Sequence, residues 1–469
     1  MGRARRRVAA VVGLSLALVG CSAGSAPQPT SEQASSPARP APGAVPAKPA
    51  PTRGHWTWPL ALAVHVRRPP LDIDLPEARR LVAGRRVTWA DLGQRGGVVR
   101  VVTGVAGLRA VAQDRDALAV VPAPMLLPTV RAVRVDGLDP LLAPDRYPLR
   151  APAPGAPGSP TTVTVVGDLM FGRRVGAAGH LAALLRPMHA MLAGSDLTVG
   201  NLESTLSTAG APRQGTDSFA ADPRVLPVLK SAGFDLLTLA NNHTGDYGPV
   251  AFRQTLRRVD RSGIARVGAG LNAAAAWRSV VLRANGVRFG FVAFNAIGET
   301  PRATSRRAGA AEVRMQPRTG PLNSFDVRRL TRTIHRLAAR TDVVVALPHW
   351  GEQYTAVPVA DQRRVGAAMI DAGADIVVGG HPHWVQGVLV HRRHLVVSSL
   401  GNFVFDMDFS AQTREGVTVR LTCWGGRVVA VDFQPYWIGA DFAPRPSSGA
   451  RAHETLRQMW RASDPPFSG

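Results

Sequence analysis

Cysteine is almost absent from this chain: Cys21 and Cys423 are the only two in 469 residues. A disulfide framework is therefore excluded. Cys423 ends an alternating stretch, 417–423, that predicts a strand, where a thiol reads as a small buried hydrophobe. Lysine is as scarce, with Lys48 and Lys230 alone, so arginine carries the formal net charge of +23. That preference for arginine reads as GC-rich coding rather than function. The surplus positive charge attracts anionic lipids or an anionic polymer. No DNA- or RNA-binding motif is present, so nucleic acid is not an expected partner. Long apolar runs are missing too: residues 8–19 are too short to span a bilayer, and no later stretch is long enough.

What is present falls into blocks. The first 21 residues read as an export signal, with Arg3, Arg5, Arg6 and Arg7 ahead of the apolar stretch. They end Leu18-Val19-Gly20-Cys21, which resembles the lipobox of a bacterial lipoprotein. The resemblance implies cleavage before Cys21 and lipidation of its sulfur, which would hold the chain on the extracytoplasmic face of the cell membrane. Residues 22–54 are mostly Ala, Pro and Ser and predict a disordered tether. A second Pro/Gly/Ala stretch, 151–160, predicts a linker between two separately folding blocks.

Residues 55–150 read as a small α/β domain, with Asp74 capping a helix over 77–83 behind Pro76. Segments 75–84, 87–93, 117–122 and 134–140 resemble part of one lobe of a phosphate- or molybdate-type periplasmic binding protein. No second lobe or anion loop accompanies them, so a non-binding scaffold is expected. The main domain spans 161–440, and 441–469 form a C-terminal tail. Apolar runs at 162–166, 235–240, 289–294, 343–347, 375–379 and 395–399 predict strands. Between them, 249–262, 326–340 and 359–372 carry apolar residues every three or four positions and predict helices. The alternation defines an α/β layout with covered sheets.

The strands end in chemistry. Gly379-Gly380-His381-Pro382-His383 follows one apolar run, and Ala240-Asn241-Asn242-His243 another. Imidazoles and amides at strand exits stand on a sheet rim, where ligands bind in open α/β folds. Other strand exits carry Asp168 after Gly167, Glu203 in Asn201-Leu202-Glu203, His349 in Pro348-His349-Trp350, and Asn402 in Gly401-Asn402-Phe403. Asp168, Glu203, Asn242, His349, His381 and His383 supply the mixed oxygen and nitrogen ligands that one or two divalent cations need, with manganese, iron or zinc the best matches. Simpler readings stand beside this one. Asp168 could cap a helix, and Glu203 could form a structural ion pair with an arginine. Arg173 divides evenly between substrate contact and surface charge, Glu352 and Tyr354 could support the site, and the remaining histidines default to structural roles.

The ordered series from Asp168 to Asn402 resembles the CapA family of capsule or poly-γ-glutamate synthesis proteins, within the calcineurin-like metallophosphoesterase superfamily. The resemblance covers about residues 161–440 and implies a two-sheet α/β sandwich flanked by helices, preceded here by the small α/β domain. It further implies that Glu203 bridges two metals, with Asn242, His349 and His381 on one and Asp168 and His383 on the other. His243 would protonate a leaving oxygen, and Arg173 and Asn402 would hold an anionic group. One departure stands out: Met170 occupies the place of the usual first-strand histidine. The implied function is a metal-dependent hydrolase or transferase acting on an anionic envelope polymer or its lipid-linked precursor, alongside other capsule-synthesis membrane proteins. The alternative is a non-catalytic polymer-binding or export subunit.

Overall fold

The structure, a computed structural model, describes residues 56–155 and 158–468. The export signal, Cys21, the tether at 22–54 and His55 lie outside the described residues. Among those described, no helix is long and apolar enough to cross a membrane.

The first block contains β1 (Thr57–His65), α1 (Leu75–Val82), β2 (Arg100–Thr103), α2 (Gly104–Gln113), β3 (Ala117–Pro122), β4 (Val130–Ala132) and β5 (Arg150–Pro152). Its strands pair in the order β2-β3-β1-β4, with β5 added to β1. Asp74 caps helix α1 as expected, its side chain accepting from the Glu77 N–H at 2.7 Å, and the helix begins at Leu75, two residues ahead of the expected start.

Next come β6 (Pro160–Leu169), β7 (Leu197–Leu202), β8 (Leu236–Thr238), α3 (Gly248–Arg261) and β9 (Ala265–Val267). They are followed by β10 (Val280–Ala284), β11 (Val287–Asn295), α4 (Ser324–Ala338), β12 (Val343–His349), α5 (Ala360–Asp371) and β13 (Ile376–Val378). The chain closes with β14 (Val388–His391), β15 (His394–Val397), β16 (Asn402–Val404), β17 (Glu415–Trp424), β18 (Arg427–Ile438), β19 (Pro444–Pro446) and α6 (Gly449–Arg461). One sheet runs β9-β8-β7-β6-β17-β18-β19 with β16 beside β6; the second runs β10-β11-β12-β13-β15-β14.

The two sheets pack face to face because their strands alternate. Val343, Val345 and Leu347 enter a core shared with Val163, Val165, Val199 and Leu236 of the other sheet. Val344 and Ala346 point the opposite way, onto Leu330, Ile334 and Leu337 of α4 and Val365 and Met369 of α5. The outer face of the first sheet is covered in the same way by Phe252 and Leu256 of α3. Each large side chain so buried contributes roughly 1.5–3 kcal/mol. The strand pattern implied the α/β layout with covered sheets, and the two-sheet sandwich is the one that the family resemblance implied.

Two boundaries look different in three dimensions. Trp424 and Val429, at the tip of the β17–β18 hairpin, share one apolar cluster with Ala61, Ala63, Leu108 and Val121 of the first block. Such a shared cluster argues for a common core across 151–160 rather than independent folding. The expected C-terminal tail is also ordered: α6 places Met459 and Trp460, with Phe467 beyond it, in the core between the sheets.

Candidate metal centre

Strand register brings the ligand residues together. Asp168 at the end of β6 lies opposite Asn201 of β7 on one side and Asn402 of β16 on the other. In the second sheet His349 ends β12 opposite Asn295 and bridges to Gly380. The two rims meet at Gly380, where an added Cβ would lie 2.5 Å from Asp168 Oδ1. Glycine there lets the His381 N–H reach Asp168 Oδ2 at 3.0 Å. His381 and His383 both adopt positive φ, +97° and +58°, which turns both rings inward around Pro382.

All six expected ligands are buried. Glu203 is common to two tight groups, one with His381 and His383 and the other with Asp168 and His349. Its shared position fits the expected bridge, but the grouping places His381 with His383 and Asp168 with His349. Asn242 joins the second group, its Oδ1 2.9 Å from His349 Nε2. Met170 stays out: it is fully buried in the outer core of the first sheet, and its sulfur accepts from the Gly172 N–H.

Burial sets the protonation states. It pushes Asp168 up to about 6 and Glu203 well above the carboxylate range, the latter helped by Asp168. It pulls His383 down to about 4, and His349 and His381 well below the usual imidazole value with the aid of neighbouring histidines. Neutral imidazoles are the ligand-competent form. Both ring nitrogens of His381, and Glu203 Oε1, are buried without any hydrogen-bond partner. Leaving such atoms unpaired costs about 1–3 kcal/mol each, and a divalent cation would satisfy Glu203 Oε1 together with one of the two His381 nitrogens. The donor set therefore fits a metal.

The surrounding web holds these side chains still. Asn201 Nδ2 donates to Asp168 Oδ1 at 2.8 Å, and Asn241 in turn holds the Asn201 carbonyl at 2.9 Å. Glu299 accepts from Asn242 Nδ2 at 2.7 Å. Asn402 was expected to face an anionic group. Instead it is fully buried, with Oδ1 2.8 Å from His383 Nδ1 and Nδ2 donating to the Thr413 carbonyl. It orients His383, one of the candidate ligands.

His243 stands beside the cluster, Nε2 3.8 Å from Glu203 Oε1. Its Nδ1 lies 2.8 Å from Asp246 Oδ2, and its ring stacks on Phe219 with centroids 3.7 Å apart. Arg173 lies over the other side of this assembly, 4.5 Å from the Phe219 centroid, and pairs with Asp406 and Asp217. Tyr354 stacks toward His383 at 6.0 Å, whereas Glu352 has no described contact with the ligands. Sequence reasoning missed Asp246, Asn201 and Glu299. The first was findable, three residues beyond His243 in one tight turn. Glu299 sits in a loop without any repeating pattern and offered no signal.

A histidine–carboxylate cluster on the joined rims of the two docked sheets of an α/β sandwich is the arrangement that the resemblance to calcineurin-like metallophosphoesterases implied. The family described as bacterial capsule synthesis protein PGA_cap matches residues 162–407, and the chain belongs to it. The capsule biosynthesis protein CapA of Bacillus anthracis is 31% identical over 62% of this chain and 70% of its own length. The PGA biosynthesis protein CapA of Bacillus subtilis (strain 168) is 29% identical over 55% of this chain and 67% of its own. A solved structure of a hypothetical protein from Thermus thermophilus aligns over 59% of this chain and 99% of its own, at 17% identity and a TM-score of 0.38, too distant to bear on the site.

Proposed function

We propose that this protein is a metal-dependent hydrolase or transferase in capsule synthesis, acting on an anionic envelope polymer of the poly-γ-glutamate type or on its lipid-linked precursor. In this reading lipidated Cys21 anchors it to the outer face of the cell membrane, beside other capsule-synthesis membrane proteins. The observation that carries the proposal is the set of buried unpartnered atoms, His381 Nδ1 and Nε2 with Glu203 Oε1.

Glu203, His349 and Asp168, with Asn242, would hold one cation, and Glu203, His381 and His383 a second. A bound manganese, iron or zinc ion would supply Lewis acidity and an activated water. The chain's own residues do the rest. Asp246 fixes the His243 ring through Nδ1 and leaves Nε2 turned toward the cluster, placed to give a proton to a leaving oxygen. Phe219 blocks rotation of that ring. Arg173, partly exposed at the rim, is placed to meet an anionic group, for which guanidinium is suited.

Met170 favours a second reading, a polymer-binding subunit, because one usual imidazole is replaced by a core side chain. Elemental analysis of the purified protein, with assays on a generic phosphodiester and on poly-γ-glutamate, separates the two. His381→Ala and His383→Ala should lose metal. His243→Ala should keep metal and lose about 10²–10⁴-fold in turnover. Full metal content in both ligand variants would sink the site, whereas metal loss with no wild-type turnover would favour the binding subunit. Cys21→Ser should release the protein from membranes; unchanged retention would sink the anchor.

A further inference from the structure

The outer face of β17 is polar where its inner face is apolar. Thr418, Arg420 and Thr422 alternate with Val417, Val419 and Leu421, which fill the core between the sheets. The first block lies against this outer face and leaves a cavity of about 240 Å³, whose walls include β4, β17 and β18 residues. That volume far exceeds the ~10–15 Å³ one water needs and falls below the ~300 Å³ of drug-sized pockets. It suits a small metabolite.

The walls hold charges that the fold does not pair. Arg134 pairs with Asp72 at 3.6 Å and Arg420 with Asp432 at 3.2 Å, whereas Arg131 and Asp139 form no ion pair among the described residues. Burial lowers the Arg131 pKa and raises that of Asp139, the latter with help from Asp432. Asp139 uses Oδ1 to accept the Leu141 and Leu142 N–H groups, at 2.8 and 3.2 Å, and no described bond uses Oδ2. Arg420 Nε and Thr422 Oγ1 are buried without hydrogen-bond partners, and Thr422 is only 1% exposed. One small space thus offers a half-buried cation outside any ion pair, which donates to the Arg68 carbonyl, and a half-buried carboxylate with one free oxygen, beside two buried polar atoms without partners. A cation and a carboxylate that the fold leaves without counter-charges are complemented by a guest carrying both signs.

We propose that this cavity binds a small zwitterion of the amino-acid class, its carboxylate taken by Arg131 and its ammonium by Asp139. A guanidinium recognises a carboxylate through two parallel bonds, and the carboxylate opposite rejects ligands that lack the ammonium. None of these residues belongs to the metal cluster, so the site would operate whatever that cluster does. It also revises the expectation that the first block binds nothing.

Isothermal titration of the purified full chain tests the proposal with L- and D-alanine, L- and D-glutamate and L- and D-lysine, beside acetate and methylammonium. At least one amino acid should bind one-to-one, with acetate and methylammonium each at least tenfold weaker. Arg131→Met should weaken that amino acid at least tenfold, and Asp139→Asn should bring its affinity down to that of acetate. Arg131→Lys, which keeps the charge, should retain more affinity than Arg131→Met and serves if the methionine variant fails to fold. Silence from all six amino acids, acetate binding as tightly as they do, or unchanged affinity in folded Arg131 and Asp139 variants would each overturn the assignment.

Discussion

Replacing His381 with leucine should change stability in opposite directions with and without metal. The ring is 1% exposed, and both its nitrogens lack partners. Each unpaired buried polar atom costs about 1–3 kcal/mol. Leucine has a similar volume and no polar atoms, and the mismatch in shape costs up to about 1.5 kcal/mol. In chelator, His381→Leu should therefore be more stable than the wild type by about 1–3 kcal/mol. With metal at a thousand times its dissociation constant the wild type gains about 4.1 kcal/mol, while the variant, short of a ligand, gains little. The ranking should then invert. Urea unfolding of the full chain, followed by far-ultraviolet circular dichroism in chelator and in excess manganese or zinc, reads both cases. Equal destabilisation of the variant under both conditions would refute the reasoning, since it would mean that the two nitrogens are already satisfied without a cation.

Gly380→Ala should cost about 1–3 kcal/mol and reduce metal content, because its Cβ would lie 2.5 Å from Asp168 Oδ1; calorimetry and elemental analysis check both effects. His65 is held down to about 4, chiefly by burial and then by Arg115, Arg67 and Arg68. Its unfolded form binds the proton first, so stability should fall as pH drops from about 6.5 toward 4, by up to about 3 kcal/mol. His65→Gln should flatten that part of the pH–stability curve. A fragment spanning 161–468 uncovers Trp424 and Val429, and its melting temperature should lie well below that of the longer chain, with aggregation on heating. Equal melting temperatures would show that the blocks fold apart.

The sandwich strands were legible because each is a short apolar run with β-branched residues, as in Val343-Val344-Val345, and the helices between them keep a helical period. The candidate ligands were legible for a related reason. A buried strand has no local use for an imidazole, so His349 and His381 at strand exits stand out. The bonds that Asn402 makes to His383 and Thr413 were not legible, because its sequence position reveals proximity to the site and not which neighbour its amide meets. The shared core of the two blocks escaped altogether. Ala61 and Trp424 are far apart in the chain, and each looks like an ordinary apolar residue until the hairpin folds over.

The candidate metal centre draws on both sheets: Asp168 and Glu203 come from the first, His349 and His381 from the second. Neither half offers a complete set of donors. The first sheet is itself unfinished until β16 to β18 return from the end of the chain to flank β6. A cation with these ligands would act as a clasp that shuts only on a finished sandwich. Metal capture is then a report on folding, and a truncated or half-assembled chain would leave the ion for a complete one.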